Sequence, residues 1–414
     1  MPHPIHRCRI CGNEDLVSVL HLGDQALTGV FPKSREEKIT VGPLELVKCH
    51  GEGHCGLLQL RDSYDSSEMY GANYGYRSSL NQSMVEHLKA KVKKLTAIAP
   101  VGSEDLVLDI GSNDGTTLSF YPDNGPLRVG MDPTAAKFRQ YYKPGIHVIA
   151  DFFNAATFQA NFGERKAKIV TSIAMFYDLE DPIKFVQQVE SILADDGIWH
   201  FEQSYMPLML SQNAYDTVCH EHLEYYGLKQ IQWMMDRCGL KILKVEINDV
   251  NGGSFAVTVS KKKSAYEPDT ESVQSIMAAE EEAGLGTLKP YEEFRERVFR
   301  HREELIEMLQ TLKQQGAKVL GYGASTKGNV ILQLCGVTRE IIPFIAEVNP
   351  EKFGALTPGT LIPIISEEEA QAMHPDFLLA MPWHFRTNLL AREAAFLARG
   401  GKMIFPLPKI EIVG

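Results

Sequence analysis

With 414 residues the chain is too long for one ordinary core, so two or three separately packed units are expected. Its 44% hydrophobic and 23% charged residues describe a folded globular protein, and a net charge of −11 argues against a nucleic-acid surface. No apolar run reaches a membrane span, and MPHPIHRCRICG lacks the apolar stretch of a secretory signal, so a cytoplasmic protein without nucleic-acid or membrane partners is expected.

Residues 1–65 read as a small first unit. Cys8 and Cys11 stand in a tight CxxCG turn, and Cys49 and Cys55 form a wider second pair about 40 residues on. Two such knuckles predict a structural Zn²⁺ site that holds together a unit too small to do so alone. On spacing alone, His50 or His54 could replace one thiolate.

Residues 66–263 form the second unit. The run Lys89–Lys94 (KAKVKK) reads as the solvated face of a helix. Short apolar, β-branched runs then recur at 106–111, 127–132, 147–151, 168–175 and 198–203, with helical stretches between most of them. This is the pattern of a doubly wound α/β fold with a parallel sheet. The runs 240–248 and 254–261 flank Asn251-Gly252-Gly253 and predict a terminal antiparallel hairpin, unlike a dinucleotide-binding fold.

Residues 264–414 are the third unit: helix to about 315, then a second, smaller parallel sheet from runs at 318–325, 341–348, 361–366, 376–382 and 402–408. Its first strand leads into Gly321–Asn329, where glycines and hydroxyls stand at a helix start. Backbone N–H groups there, with Lys327, make a ready anion site.

The loop Asp109-Ile110-Gly111-Ser112-Asn113-Asp114-Gly115 follows the first strand of the larger sheet, where ligands of such folds sit. It is not GxGxxG, and two carboxylates suit a cofactor with a cationic amino-acid end and no phosphates. Asp132, followed by Pro133, ends the second strand and is placed for ribose hydroxyls. Asp151 and Phe152 end the third, for an adenine. Together with the hairpin these features indicate a class I methyltransferase sheet binding S-adenosylmethionine.

The motifs CGLLQL (55–60), MYGANYGYRSSLNQSM (69–84), LDIGSNDG (108–115), ADFF (150–153), DTVCHEHLEYY (216–226), GYGASTKGN (321–329) and VNPEKFGALTPGTLIPI (348–364) occur in this order. In them the chain resembles the three-domain sugar C-methyltransferases, over essentially its whole length. The resemblance implies methylation of a nucleotide-linked deoxy-4-keto-hexose at C-3, in branched deoxysugar biosynthesis, by a monomer or small homo-oligomer. It implies His222 as base with Glu221 beside it, and Tyr74, Tyr76 and Ser78 over the cofactor. It also implies that Tyr322, Gly323, Ala324, Ser325, Thr326, Lys327 and Asn329 bind the nucleotide sugar, in a C-terminal Rossmann-like unit. Cys219 stands where the family often has tyrosine, and Tyr177 and Asp178 where it has a histidine.

Carbon methylation requires an enolate, hence a base near neutral pKa and donors for the oxyanion, for which Tyr225, Tyr226 and Tyr177 are candidates. His220, Glu221 and His222 do not fit HExxH in either register, so acid/base work is expected there in preference to a metal. Three other readings stay open: methyl transfer to oxygen or nitrogen of a similar sugar, a zinc-containing RNA methyltransferase, and an oxidoreductase with NAD on the GYGAS loop.

Overall fold

Strands β1 (Leu16–Ala26), β2 (Val41–Cys49) and β3 (Leu58–Leu60) pair antiparallel at the start of the chain. The structure, a computed structural model, describes residues 2–70 and 76–414. A sheet this small cannot bury enough apolar surface alone. Leu44, Leu46, Leu58 and Leu60 therefore share a core with residues of the C-terminal part of the chain, among them Phe294 and Val319. Cys8, Cys49, Cys55 and Leu57 join the core of the central sheet instead.

Helix α1 (Gln82–Ile98) starts at Asn81, whose side chain accepts from the Ser83 N–H. Met84, Leu88, Val92 and Leu95 recur at helical spacing and are buried. The Lys89–Lys94 run is not wholly solvated, as its sequence suggested. Lys91 is turned inward, its ammonium 2.6 Å from the buried Glu202 carboxylate, because Lys91 falls on the same stripe as Leu88 and Leu95.

The central sheet follows: β4 (Leu106–Ile110), β5 (Leu127–Met131), β6 (Ile146–Ile149), β7 (Ala167–Ile173) and β8 (Leu193–Ser204). After them come the two-residue β9 (Glu224–Tyr225), helix α2 (Leu228–Arg237), and β10 (Leu240–Asn248) and β11 (Ser254–Lys261). The order across its seven strands is β10-β11-β8-β7-β4-β5-β6, with β11 antiparallel to both neighbours and β4 to β8 parallel. Asn251, Gly252 and Gly253 all have positive φ, which the predicted turn requires. Strand β9 does not join this sheet. It pairs antiparallel with β3, giving the N-terminal sheet its fourth strand.

The helical region expected to about 315 is two helices, α3 (Thr270–Glu282) and α4 (Lys289–Gln314), separated at Gly284 (φ +68°). On α4, Phe294, Val298, Leu305, Leu309 and Leu312 are buried, each contributing about 1.5–3 kcal/mol through apolar burial. The last sheet comprises β12 (Val319–Tyr322), β13 (Ile345–Glu347), β14 (Ile364–Ser366), β15 (Phe377–Ala380), β16 (Lys402–Phe405) and β17 (Glu411–Val413). Its order is β14-β13-β12-β15-β16-β17. The first five are parallel as predicted; β17 adds an antiparallel edge the sequence reading missed. Helix α5 (Thr326–Leu334) leaves β12 with Ser325 as its cap, the hydroxyl accepting from the Gly328 N–H at 3.0 Å. Among the described residues, no helix is long and apolar enough to cross a membrane.

Candidate active site

The segment that carries His222 is held at both ends. The Leu223 and Glu224 N–H groups donate to the Tyr177 carbonyl at 2.8 and 3.0 Å, and β9 then locks onto β3. Between them the chain makes a tight turn, with the His222 N–H donating to Cys219 O at 3.1 Å. This turn separates the two histidines. His220 is fully buried, edge-on to the Tyr64 ring with centroids 4.6 Å apart, and burial pushes its pKa down to about 4. It is a packing residue.

Glu221 and His222 line a cavity of about 720 Å³ that runs from the central sheet to the C-terminal sheet. His222 Nδ1 lies 2.9 Å from the Thr217 carbonyl, which only accepts, so Nδ1 carries the proton and Nε2 keeps its lone pair. Burial, and then the Lys327 charge, lower its pKa to about 3 and keep the ring neutral. The Tyr177 ring packs on it at 4.2 Å. Asp178 also lines the cavity, accepts from Tyr70 Oη at 2.9 Å, and is raised well above the usual carboxylate range by burial, as Glu221 is more mildly. Glu221 accepts from Thr28 Oγ1 at 3.3 Å, and a Cβ on Gly29 would lie 2.1 Å from its Oε1. Tyr225 is a correction: it lies in the core away from the cavity, its hydroxyl 3.4 Å from the Thr217 carbonyl that holds His222. Tyr226 is likewise buried off the cavity, stacked on Phe176.

At the carboxyl ends of β4 and β5 the cavity wall includes Asp109, Gly111, Ser112, Asn113, Asp132 and Pro133, with Phe152 beyond β6. Asp109 is buried and accepts from Thr171 Oγ1 at 2.5 Å, and burial raises it to about 7. Asp132 accepts from the Asn113 N–H at 2.8 Å and the Thr134 N–H at 2.6 Å, which fixes the loop. The covering segment is tied to the same loop: the Ser78 N–H donates to Asn113 Oδ1 at 2.9 Å, and Asn113 Nδ2 donates to Tyr76 O at 3.2 Å. Both Tyr76 and Ser78 are on the wall; Tyr74 lies outside the described residues. Two predicted cofactor residues are elsewhere. Asp114 is buried off the wall, where it accepts from the Ser79 N–H at 3.0 Å and so latches the cover. Asp151 stands exposed past the end of β6, accepts from the N–H of Phe152, and is not among the residues that line the cavity.

From the C-terminal sheet the cavity receives Tyr322, Gly323, Ala324, Ser325, Thr326 and Lys327. Asn329 is not among them: two residues beyond Lys327 on α5, its Nδ2 donates to Thr28 O at 2.7 Å and ties α5 to the N-terminal unit. The sequence reading passed over several wall residues, including Gly29, Asn251 and His384. Asn251 was read only as part of the hairpin turn, Gly29 and His384 sit in no motif, and each reaches the cavity through packing between units.

The four cysteines converge. The sulfurs of Cys8, Cys11, Cys49 and Cys55 all lie within 4.8 Å of one another, at 3.4 Å for Cys8–Cys55, 3.5 Å for Cys11–Cys49 and 3.9 Å for Cys49–Cys55. A tetrahedron with Zn–S bonds of about 2.3 Å has edges of about 3.8 Å, so the donor set fits Zn²⁺. Asn13 Nδ2 donates to Cys49 Sγ at 3.4 Å, a supporting contact of the kind metal sites use. His50 instead stands 3.5 Å from the Asp15 carboxylate, and His54 is not in the cluster.

Three family descriptions match consecutive stretches: a zinc binding domain over residues 8–70, a methyltransferase domain over 83–245, and a C-methyltransferase C-terminal domain over 249–408. The C-methyltransferase NovU of Streptomyces niveus is 30% identical over 418 residues, covering 99% of this chain and 97% of that protein. Among solved structures, magnesium protoporphyrin IX methyltransferase of Synechocystis is 14% identical, covering 44% of this chain and 83% of its own, with a TM-score of 0.34. An S-adenosylmethionine-dependent methyltransferase of Clostridium acetobutylicum is 13% identical, covering 43% and 92%, with a TM-score of 0.33. The full-length match to NovU and the three family matches in this order decide the assignment: the chain belongs to the C-methyltransferase family, S-adenosylmethionine-dependent enzymes with an amino-terminal zinc-binding unit.

Proposed function

We propose that the protein methylates a carbon of a nucleotide-linked deoxy-4-keto-hexose, at C-3, with His222 as the base that removes the α-proton. Residues 1–65 hold the zinc, 66–263 bind the cofactor and carry the base, and 264–414 bind the nucleotide sugar, in a cytoplasmic enzyme. The observation that carries the reading is the bond from His222 Nδ1 to the Thr217 carbonyl, which leaves an unprotonated Nε2 on a residue lining a cavity shared by two sheets.

A sugar carbon becomes a nucleophile only after a neighbouring ketone has acidified its C–H bond. S-adenosylmethionine supplies the methyl group as an electrophile. Asp109, Asn113 and Asp132 bound the pocket for it, and Tyr76 and Ser78 close over the loop. His222 accepts the proton at Nε2. Burial and the Lys327 charge hold its pKa at about 3, below the near-neutral value the chemistry asks of a base, so the imidazolium has to be stabilised by an anion beside it. The imidazolium so formed lies next in sequence to Glu221, whose carboxylate form it favours. Tyr177 packs the ring in place and Asp178 closes the wall beside it.

The test is product analysis with ¹³C-methyl cofactor and a dTDP-linked 4-keto-6-deoxyhexose. The expected product carries the label on C-3 with a one-bond carbon–carbon coupling. A methyl ether, or transfer only to substrates lacking the ketone, contradicts the reading.

A further inference from the structure

We propose that Lys327 is a catalytic residue that neutralises the enolate oxygen, in place of a phosphate of the nucleotide. The proposal rests on the enolate reading above. An enolate forming away from bulk water needs a positive charge or strong donors at its oxygen. Of the hydroxyls that the sequence offered, Tyr225 and Tyr226 are off the cavity; Tyr177 is on its wall with its ring against His222, but a phenol brings no positive charge.

Among the described residues, four cationic side chains line the cavity, Arg77, Lys327, Lys352 and Arg392. Arg392 is paired with Glu367, Lys352 donates to Ala324 O at 2.7 Å while lying over the Phe31 ring, and Arg77 stacks on Tyr141 at 4.1 Å. Lys327 gives one hydrogen bond, to Asn251 O at 2.8 Å, and has no carboxylate within ion-pair distance among the described residues. Two of its N–H bonds remain for a ligand.

Its place in the fold puts it beside the base. Helix α5, which starts at Thr326, packs against the turn Tyr215–Thr217, and Thr217 holds the His222 ring. Thr326 Oγ1 and Glu221 Oε1 both lie within 3.4 Å of the point where a Cβ on Gly29 would sit, so the residues preceding Lys327 and His222 are neighbours. The Lys327 charge depresses both His222 and His384, which places it in electrostatic reach of each imidazole.

In the step, the α C–H bond breaks and its proton goes to His222 Nε2. Its electron pair becomes the enolate double bond while the carbonyl pair moves onto oxygen, beside the Lys327 ammonium. The pair then forms the new carbon–carbon bond to the methyl group, whose bond to sulfur breaks with its electrons on sulfur. Lys327 transfers no proton in the step; it contributes its charge and its N–H donors.

The test follows C-3 hydrogen exchange of dTDP-4-keto-6-deoxyglucose in D₂O by NMR, with S-adenosylhomocysteine present, for the wild type, K327M, K327Q and K327R. Binding of dTDP and of S-adenosylhomocysteine is measured alongside. Both neutral variants are expected to lose exchange by about 10²-fold or more, with dTDP affinity unchanged, and K327R to recover part of it. Retained S-adenosylhomocysteine binding in either neutral variant establishes that its fold is intact. Exchange at the wild-type rate in a folded neutral variant, or a loss that matches a fall in dTDP affinity, overturns the role of Lys327 while leaving the enolate reading in place. No exchange by the wild type overturns the enolate reading itself.

Discussion

The Leu60 N–H donates to the Leu223 carbonyl at 2.9 Å, so the strand that leaves the four-cysteine cluster ends on the residue that follows His222. Only Leu57 separates β3 from the Cys55-Gly56 corner, and Gln230 Nε2 of α2 donates to Cys55 O at 2.8 Å. The four-cysteine cluster and His222 therefore share one short backbone connection. Zinc removal should accordingly be felt at the base before the cofactor. A C11S variant is expected to fall below about one zinc per chain by elemental analysis and to lose methyl transfer. It should still bind S-adenosylhomocysteine, because the loop after β4 is held by its own hydrogen bonds, the Asn113 N–H donating to Asp132 and the Ser78 N–H to Asn113 Oδ1. Full activity in zinc-free protein would contradict this coupling.

Gly29 gives a test of the seam between units. A Cβ there would come 2.1 Å from Glu221 Oε1, so G29A must displace that carboxylate, which sits at the end of a flexible side chain. Turnover is expected to fall on the order of tenfold to a hundredfold, with unchanged S-adenosylhomocysteine affinity and little change in melting temperature. Unchanged turnover would mean that the Glu221 position is immaterial.

If Asp109 meets the cationic end of the cofactor, as proposed above, cofactor binding is expected to depend on pH. Burial raises its pKa to about 7, and a raised carboxyl favours the folded state most below its ordinary value of about 4. That contribution is lost as pH rises through 7. A cationic ligand works in the opposite direction by favouring the ionised form. S-adenosylmethionine should therefore bind more tightly at about pH 8 than at about pH 6, with proton release measurable by calorimetry in buffers of different ionisation heat. D109N should flatten that dependence. A pH-independent wild-type affinity would contradict it.

Trp383 joins the C-terminal sheet to the turn before His222, its Nε1 donating to the buried Asp216 Oδ2 at 2.7 Å. W383F leaves that carboxylate without its donor and is expected to destabilise the protein by about 1–3 kcal/mol in denaturant unfolding. A loss well under 1 kcal/mol would show that solvent replaces the indole.

Much of this was legible locally. Short apolar, β-branched runs marked the strands of both parallel sheets, and the acidic ends of β4 and β5 marked a loop that lies on the cavity wall, because strand direction alone fixes where such residues emerge. The cysteine spacing likewise implied the cluster that the sulfur distances describe. What failed depends on which way a side chain turns after its backbone is placed. Asn329 lies only two residues beyond Lys327 on α5, and helical geometry points it at Thr28 instead of the cavity. Tyr225 was misplaced for another reason. Residues 224–225 form a strand only because β3 offers an unpaired edge, a partner more than 160 residues away that no local pattern announces. Gly29 and His384 reach the cavity through packing between units, so neither carries a signal in its own neighbourhood.

Exchange of the substrate's α-hydrogen with solvent tests the role of His222 most directly. With a dTDP-linked 4-keto-6-deoxyhexose in D₂O and no methyl donor, the wild type should wash deuterium into C-3. H222A and H222Q, folded and binding S-adenosylhomocysteine, should do so slower by about 10²–10⁴-fold. Exchange that survives undiminished in both variants would contradict His222 as the base.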